Sequence, residues 1–362
     1  MTLSRETVEH RLEEIIRQAW HTHALYFSHT PRSSVEEVLN LVKEQAVSSN
    51  QGGKRLRALT LMQTAYTFCP EEVRIDDSAL LDLACAIEIF QTAALIHDDI
   101  MDDADTRRGA PSAHKALAVQ TSASQGQGLA LMLGDLLATL SIRVAFTASH
   151  KLSNSDEIFR TFLAMHDQVE IGQIMDVSME TIELTDTDAI ESSIWATYIN
   201  KTASYTTIAP LLIGILASSH PQISQNAQSF AQSVGNDLGV AFQIHDDLID
   251  ILSDSQTTGK PVGGDIREGK RTLLLARALQ LASPHDRDTL LVKFEHTAHR
   301  DKEDVEIIRT IFHRSGAIDS LIDEVDKLWQ RAAHAVLTTC MMHDISPEKT
   351  QALITMCSHF IN

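Results

Sequence analysis

The sequence predicts an all-α protein, a single-domain helical bundle, and three observations carry that expectation. Proline is absent between Pro111 and Pro210, between Pro221 and Pro261, and between Pro284 and Pro347, leaving long stretches where backbone N–H groups can join an unbroken i→i−4 ladder. Within these stretches apolar residues return every three or four positions: Leu80, Leu83, Ile87, Phe90 and Ala94, then Leu238, Phe242, Ile249 and Leu252. Alternating runs joined by Asn-Gly or Asp-Gly turns are missing, so nothing points to a sheet. No Gly/Ser-rich linker and no repeat of about 20–50 residues divides the chain, so one domain over residues 1–362 is expected.

Charge and composition narrow the function. The chain carries 30 Lys+Arg against 49 Asp+Glu, a formal net charge of −19. A phosphate-backbone binder needs a cationic face that displaces counterions, so no nucleic-acid partner is expected. With 43% hydrophobic and 22% charged residues the chain can bury a large core, unlike a disordered acidic tail. Cys69, Cys85, Cys340 and Cys357 stand far apart with no Cys-x-x-Cys spacing, which excludes a zinc knuckle and reads as free thiols in a reducing cytoplasm. The start, MTLSRETVEHRLEEII, is charged where a signal peptide would be apolar. The longest apolar run, Ile208 to Ala217, falls short of the roughly 20 residues a spanning helix needs, so no transmembrane segment is expected.

The informative elements follow in chain order. Gly52-Gly53-Lys54-Arg55-Leu56-Arg57 sets glycines beside cations, so the backbone can approach an anion while the side chains grip phosphate oxygens. The periodic segment Leu80 to Ile96 then ends in Asp98-Asp99-Ile100-Met101-Asp102-Asp103. At 100° per residue Asp98 and Asp102 fall about 40° apart, and Gln91 about 20° from Asp98, on one stripe. Aspartate is a poor helix former and like charges at i,i+4 repel, so something should neutralise the stripe. Magnesium does this where one or two carboxylates and substrate phosphate oxygens share the ion. Arg107-Arg108-Gly109 follows at once.

A second copy, Asp246-Asp247-Leu248-Ile249-Asp250, comes 148 residues later, with Gly239, Gln243, Asp246 and Asp250 on one stripe. Two such stripes facing each other across a bundle would hold several cations in one cavity. Lys201-Thr202, Lys260 and Lys270 add cations, and the polar stretch Ser253 to Arg271 is the one obvious long functional loop. Gly264 to Lys270 has Walker spacing, but Arg271 stands where a magnesium-binding Ser or Thr is required. No order of Ser, His, Asp or Cys suggests a covalent nucleophile.

From about residue 50 to 273 these motifs resemble, in register, the trans-isoprenyl diphosphate synthase (polyprenyl synthetase) family: GGKRLR at 52–57, HDDIMDDADTRRG at 97–109, GD at 134–135, GQIMD at 172–176, KTASY at 201–205, FQIHDDLID at 242–250 and GKPVGGDIREGKRT at 259–272. The resemblance implies an isoprenoid-synthase-type bundle around a central cavity, usually a homodimer, and head-to-tail condensation of isopentenyl diphosphate with an allylic diphosphate. Asp98, Asp102 and Asp246 match positions that hold three Mg2+ ions, whereas Asp99, Asp247 and Asp250 match second-row or water-mediated positions. Lys54, Arg57, Gln91 and Arg108 match the isopentenyl diphosphate side, and Arg107, Lys201, Lys260 and Lys270 the allylic side. Thr202 and Gln243 match positions that steady the allylic cation and guide proton loss. Ala58 departs from the proline of many relatives without touching a ligand position.

The resemblance points to geranylgeranyl diphosphate as product. Short-chain relatives often close the floor of the tail tunnel with an aromatic four or five residues before the first Asp. Here those residues are Ala93 and Ala94, and Phe90, one turn further down, becomes the candidate floor. Alternatives are a farnesyl or longer-chain synthase, a class I terpene cyclase, or a non-catalytic synthase subunit. A cyclase needs no isopentenyl site, against which Lys54, Arg57 and the second Asp-rich motif speak.

Overall fold

The proline-poor stretches fold as helices in a computed structural model that describes residues 4–24, 33–252, 263–295 and 300–362. In chain order these are α1 (Arg5–Ala24), α2 (Ser33–Ser49), α3 (Leu56–Phe68), α4 (Asp77–Met101), α5 (Ala113–Gln120), α6 (Ala123–Ser149), α7 (Ser155–Ser178), α8 (Thr187–Thr197), a π-helical segment (Tyr198–Ile208), α9 (Ala209–Ser218), α10 (Pro221–Ser224), α11 (Ala227–Leu252), α12 (Gly264–Glu268), α13 (Leu273–Leu281), α14 (Pro284–Glu295), α15 (Lys302–Arg314), α16 (Ala317–Met342) and α17 (Pro347–Ser358). One small ladder interrupts them. Thr106–Arg107 pairs antiparallel with Ala110–Pro111 across a two-residue turn, Arg108 and Gly109, both at positive φ (53° and 77°). Two left-handed residues give the hairpin turn that matches strand twist, in a ladder too short for an alternating pattern.

The chain divides into two units, residues 1–163 with 213–224 and residues 164–212 with 225–362. In the first, α4 packs against α1, α3, α5 and α6. Asp76 starts α4 by accepting from Ser78 N and Ala79 N, each at 3.0 Å. Leu80, Leu83, Ile87 and Phe90 are buried as the periodicity requires, and so are the residues between them from Ala79 to Ile89, except Asp82. An all-round apolar helix of this kind belongs inside a core. Both α4 and α6 are long and apolar enough to cross a membrane, which the count of unbroken apolar residues misses because single polar residues interrupt them. The share of the apolar window buried separates the two, 78% for α4 and 39% for α6.

In the second unit α11 packs against the π segment and α16. Its buried face is Val234, Leu238, Ala241, Ile244, Leu248 and Ile251, whereas Ile249 and Leu252 are 38% and 44% exposed. The expected stripe through Ile249 and Leu252 is therefore wrong at its C-terminal end. Two apolar series satisfy the same spacing there, and only the packing partners select between them. Pro210 also behaves differently from a chain divider, since it lies inside the helical run Thr187–Ser218. A mid-helix proline removes one donor and crowds the preceding turn, and the π turns just before it absorb the misfit: Ala209 N bonds Ser204 O instead of the residue four back.

Candidate active site

The first acidic motif ends α4. Asp98 and Asp102 are half-buried and reach solvent, whereas Asp99 is 2% exposed. Arg107 Nε donates to Asp99 Oδ1 at 2.8 Å, its Nη2 also bonds Asp99, and that Nη2 lies 3.6 Å from Asp98 Oδ2. Burial pushes the Asp99 carboxyl up from its ordinary range and Arg107 pulls against that shift. His97, just before the motif, makes contacts at 3.2 Å to Leu131 O and 3.5 Å to Asp135. Its ring fits only because residue 134 is glycine, where a Cβ would lie 2.2 Å from His97 Nε2. The Gly134-Asp135 pair thus shapes the α6 wall behind the first motif.

Arg55, and Arg57 through Gln91, converge on Glu88, an acid 1% exposed in the middle of α4. Glu88 accepts from Arg55 Nη1 at 3.2 Å and from Ala58 N at 3.2 Å. With its amide nitrogen turned toward Glu88, the orientation that satisfies both neighbours, Gln91 donates Nε2 to Glu88 at 3.3 Å and accepts from Arg57 Nη1 at 2.7 Å, which brings Arg57 and Gln91 together. Lys54 is exposed beside them in sequence. Arg108 donates to Gln51 O at 3.0 Å, and a Cβ on Gly53 would come within 3.3 Å of its guanidinium, so the glycine loop wraps it. The Arg108 residue is exposed as a whole, yet burial of its guanidinium and then Arg55 hold its pKa below the ordinary value; Glu88 opposes, and Arg57 and Arg107 add to the lowering. Crowded like charges with one shared carboxylate make a ready anion site. Arg55 and Arg108 sit at positive φ (56° and 53°), local strain of the kind that gathers at ligand-binding loops.

The second unit carries the other acidic motif on α11. Asp246 is exposed, and Asp247 is 4% exposed and accepts from Tyr198 Oη and, at 2.8 Å, from Gln243 Nε2. Thr202 Oγ1 donates to Gln243 Oε1 at 2.8 Å, so the structure brings these two candidates into direct contact. Lys201 Nζ bonds Asp176 Oδ2 at 2.6 Å. This contact requires Gly172 in the GQIMD motif, since a Cβ there would stand 2.2 Å from Lys201 N. Asp250 accepts from Gly264 N and Asp265 N at 3.1 and 3.2 Å, anchoring the start of α12. Part of the expected long loop is therefore helical. Lys270 lies 3.0 Å from Glu268 and 4.0 Å from Asp265, and Lys260 lies outside the described residues. Burial pushes the Asp247 carboxyl well above its ordinary range, with Asp265 adding to the shift.

Phe90 and Ala93 are buried and Ala94 is half-buried on α4. Glu88 and Tyr198 lie outside every motif the sequence offers, and Asp176, Asp265 and Arg55 lie inside the quoted motifs without a role of their own. Glu88 left one legible signal, an acid amid an apolar helical run. Tyr198 left none.

These geometries meet comparisons with known proteins. A model of the polyprenyl synthetase family matches residues 38–312. A short chain isoprenyl diphosphate synthase of Methanothermobacter thermautotrophicus is 34% identical over 66% of this chain and 67% of its own length. A geranylgeranyl diphosphate synthase of Saccharolobus solfataricus is 29% identical over 78% of this chain and 82% of its own. The crystal structure of geranylgeranyl pyrophosphate synthase from Corynebacterium glutamicum, complexed with isoprenyl diphosphate and magnesium, superposes with a TM-score of 0.82 at 25% identity, covering 99% of each chain. With its helical fold, its two acidic motifs and the family match over most of its length, the chain belongs to the polyprenyl synthetase family and is a prenyltransferase.

Proposed function

We propose that this chain is a magnesium-dependent geranylgeranyl diphosphate synthase, condensing isopentenyl diphosphate with an allylic diphosphate. One observation carries the metal assignment: Asp98 and Asp246 reach solvent while their neighbours Asp99 and Asp247 are buried and held by protein donors. Asp98, Asp102 and Asp246 fit Mg2+ as oxygen donors, and among the described residues no three His, Cys, Asp or Glu side chains enclose a cation by themselves. That suits ions shared with phosphate oxygens, three of them by the family pattern. When bound, the metal supplies positive charge to the diphosphate leaving group.

The chain's own residues do the rest. Lys54, Arg57, Gln91 and Arg108 grip isopentenyl diphosphate, and Arg107, Lys201, Lys260 and Lys270 hold the allylic diphosphate through charge-assisted contacts. The allylic carbon–oxygen bond breaks with its electron pair leaving on diphosphate, and the isopentenyl double bond attacks the cation. A proton then departs to the diphosphate. Thr202 and Gln243 present oxygens to the positive charge at fixed cost, because they are already oriented.

The twenty-carbon product is supported by small residues at Ala93 and Ala94 above the buried ring of Phe90. The assay is product analysis with labelled isopentenyl diphosphate and each allylic primer, in Mg2+ and in excess EDTA. Phe90→Ala with a farnesyl primer should move products beyond twenty carbons; an unchanged distribution places length control on another helix. A homodimer is supported by the exposed apolar residues Leu131, Met132, Leu136 and Phe146 of α6, and sedimentation tests it. A cytoplasmic location is supported by four unbridged cysteines.

A further inference from the structure

Tyr198 joins the three elements that carry the second acidic motif's surroundings. It opens the π segment, three residues before Lys201, and its ring is buried. Its hydroxyl accepts from Leu273 N at 3.3 Å, just past the segment that bears Lys270, and donates to Asp247 Oδ2 on α11. Burial, and then the Asp247 charge, push the phenol well above its ordinary range, so it remains a donor.

A phenol has one proton. With Leu273 N–H on its acceptor side, that proton goes to Asp247, which also accepts on Oδ1 from Gln243 Nε2 at 2.8 Å. The amide of Gln243 then has one allowed orientation, nitrogen toward Asp247 and oxygen toward Thr202. Thr202 must donate to that oxygen, and its contact at 2.8 Å places its proton there. The chain of bonds runs in one direction from Tyr198 to Thr202, and Thr202 keeps only lone pairs to offer elsewhere.

We propose that Tyr198 is a positioning residue for the condensation: by holding Asp247 in place it fixes the anchor of the Gln243–Thr202 pair, so that Thr202, its O–H proton spent on Gln243, meets the developing allylic cation as an acceptor. The inference rests on the proposed role of Thr202 and Gln243. Without the phenolic hydroxyl the Asp247 carboxylate is free to turn about its Cβ–Cγ bond, and the Gln243 amide that it anchors is no longer held in the one position that presents its oxygen to Thr202.

The test is steady-state kinetics of the purified full chain and its Tyr198→Phe variant with isopentenyl and farnesyl diphosphates. The expected result is a fall in kcat of about tenfold or more, with both KM values within about twofold and an unchanged Mg2+ requirement. Thr202→Val should lose activity by itself, and adding Tyr198→Phe to it should cost nothing further, since both act through one pair. An undiminished kcat, a change confined to KM, or additive losses in the double variant overturn the inference. If Tyr198→Phe does not fold, Tyr198→His, which keeps a ring N–H donor, should retain kcat within a few fold, and its inactivity overturns the inference. An inactive parent chain overturns the proposed function and this inference together; an active parent with an undiminished variant overturns this inference alone.

Discussion

Asp98-Asp99 and Asp246-Asp247 are the same dipeptide on two apolar helices, and in each the first carboxylate reaches solvent while the second is buried. What holds the buried member differs. Asp99 has a guanidinium in contact, delivered by the hairpin in which Arg107 ends the first strand. Among the described residues Asp247 accepts from the neutral donors Tyr198 and Gln243, and the charges that act on it most, Asp265 and Asp246, are further acids. A buried carboxylate with a cation beside it is balanced within the fold. One among neutral donors and other acids depends on positive charge arriving with ligands. The second motif should therefore be the half that gains most from Mg2+ and diphosphate.

The largest expected effect probes what the two motifs share. Asp98→Ala and Asp246→Ala should each lower turnover by about 10²- to 10³-fold or more with the circular dichroism spectrum intact, and excess EDTA should abolish activity of the parent. Full turnover in EDTA would break the assignment for both. Next in size are the cations assigned to isopentenyl diphosphate, where Lys54→Ala or Arg57→Ala should raise its KM by about 10- to 100-fold, from contacts worth about 1.5–3 kcal/mol. A rise in the allylic constant instead would reverse the division of the two substrates.

Smaller effects sharpen the contrast itself. Asp99→Asn removes the charge of Arg107's nearest partner and leaves it Asp98 at 3.6 Å, and because Arg107 keeps 30% of its side chain exposed the cost should be about 1–3 kcal/mol, several degrees in melting temperature. Asp247→Asn removes a charge from an acidic neighbourhood and should move the melting temperature of the metal-free chain less. The reverse order would refute the comparison.

The smallest effect is a pH slope. Burial pushes the Asp265 carboxyl from 3.8 up to about 7, against the pull of Lys270 and with help from Asp250. Its side chain still keeps 27% of its surface exposed, so solvent softens the effect. The folded chain holds a proton that the unfolded chain releases, so this stabilising contribution is full below 3.8 and is lost as pH rises through about 7. Melting of the metal-free chain should fall between about pH 5.5 and 7.5, and Mg2+ with diphosphate should flatten the slope.

Helix identity, the two acidic motifs and their cationic companions were legible because proline, i,i+4 spacing and side-chain charge act locally. The proline gaps read as helices, and the buried stripe Leu80–Phe90 appears on α4 as its spacing requires. The same rule misplaced Ile249 and Leu252 on α11, because period alone does not say which of two apolar series finds partners. Pro210 read as punctuation and instead sits in a helix that widens to a π turn, an adjustment propensity does not encode. The Arg107 hairpin escaped notice because two residues per strand leave no pattern.

By itself the sequence determined the fold class, the order of the motifs and the residue types that neutralise a diphosphate, since these follow from backbone propensity and charge. Only the tertiary structure decided which aspartate of each pair is buried, that Glu88 organises the arginines of the first unit, and that a tyrosine on another helix holds Asp247. Those outcomes depend on the desolvation of particular side chains and on hydrogen bonds between residues 33 and 49 positions apart, which no local pattern records.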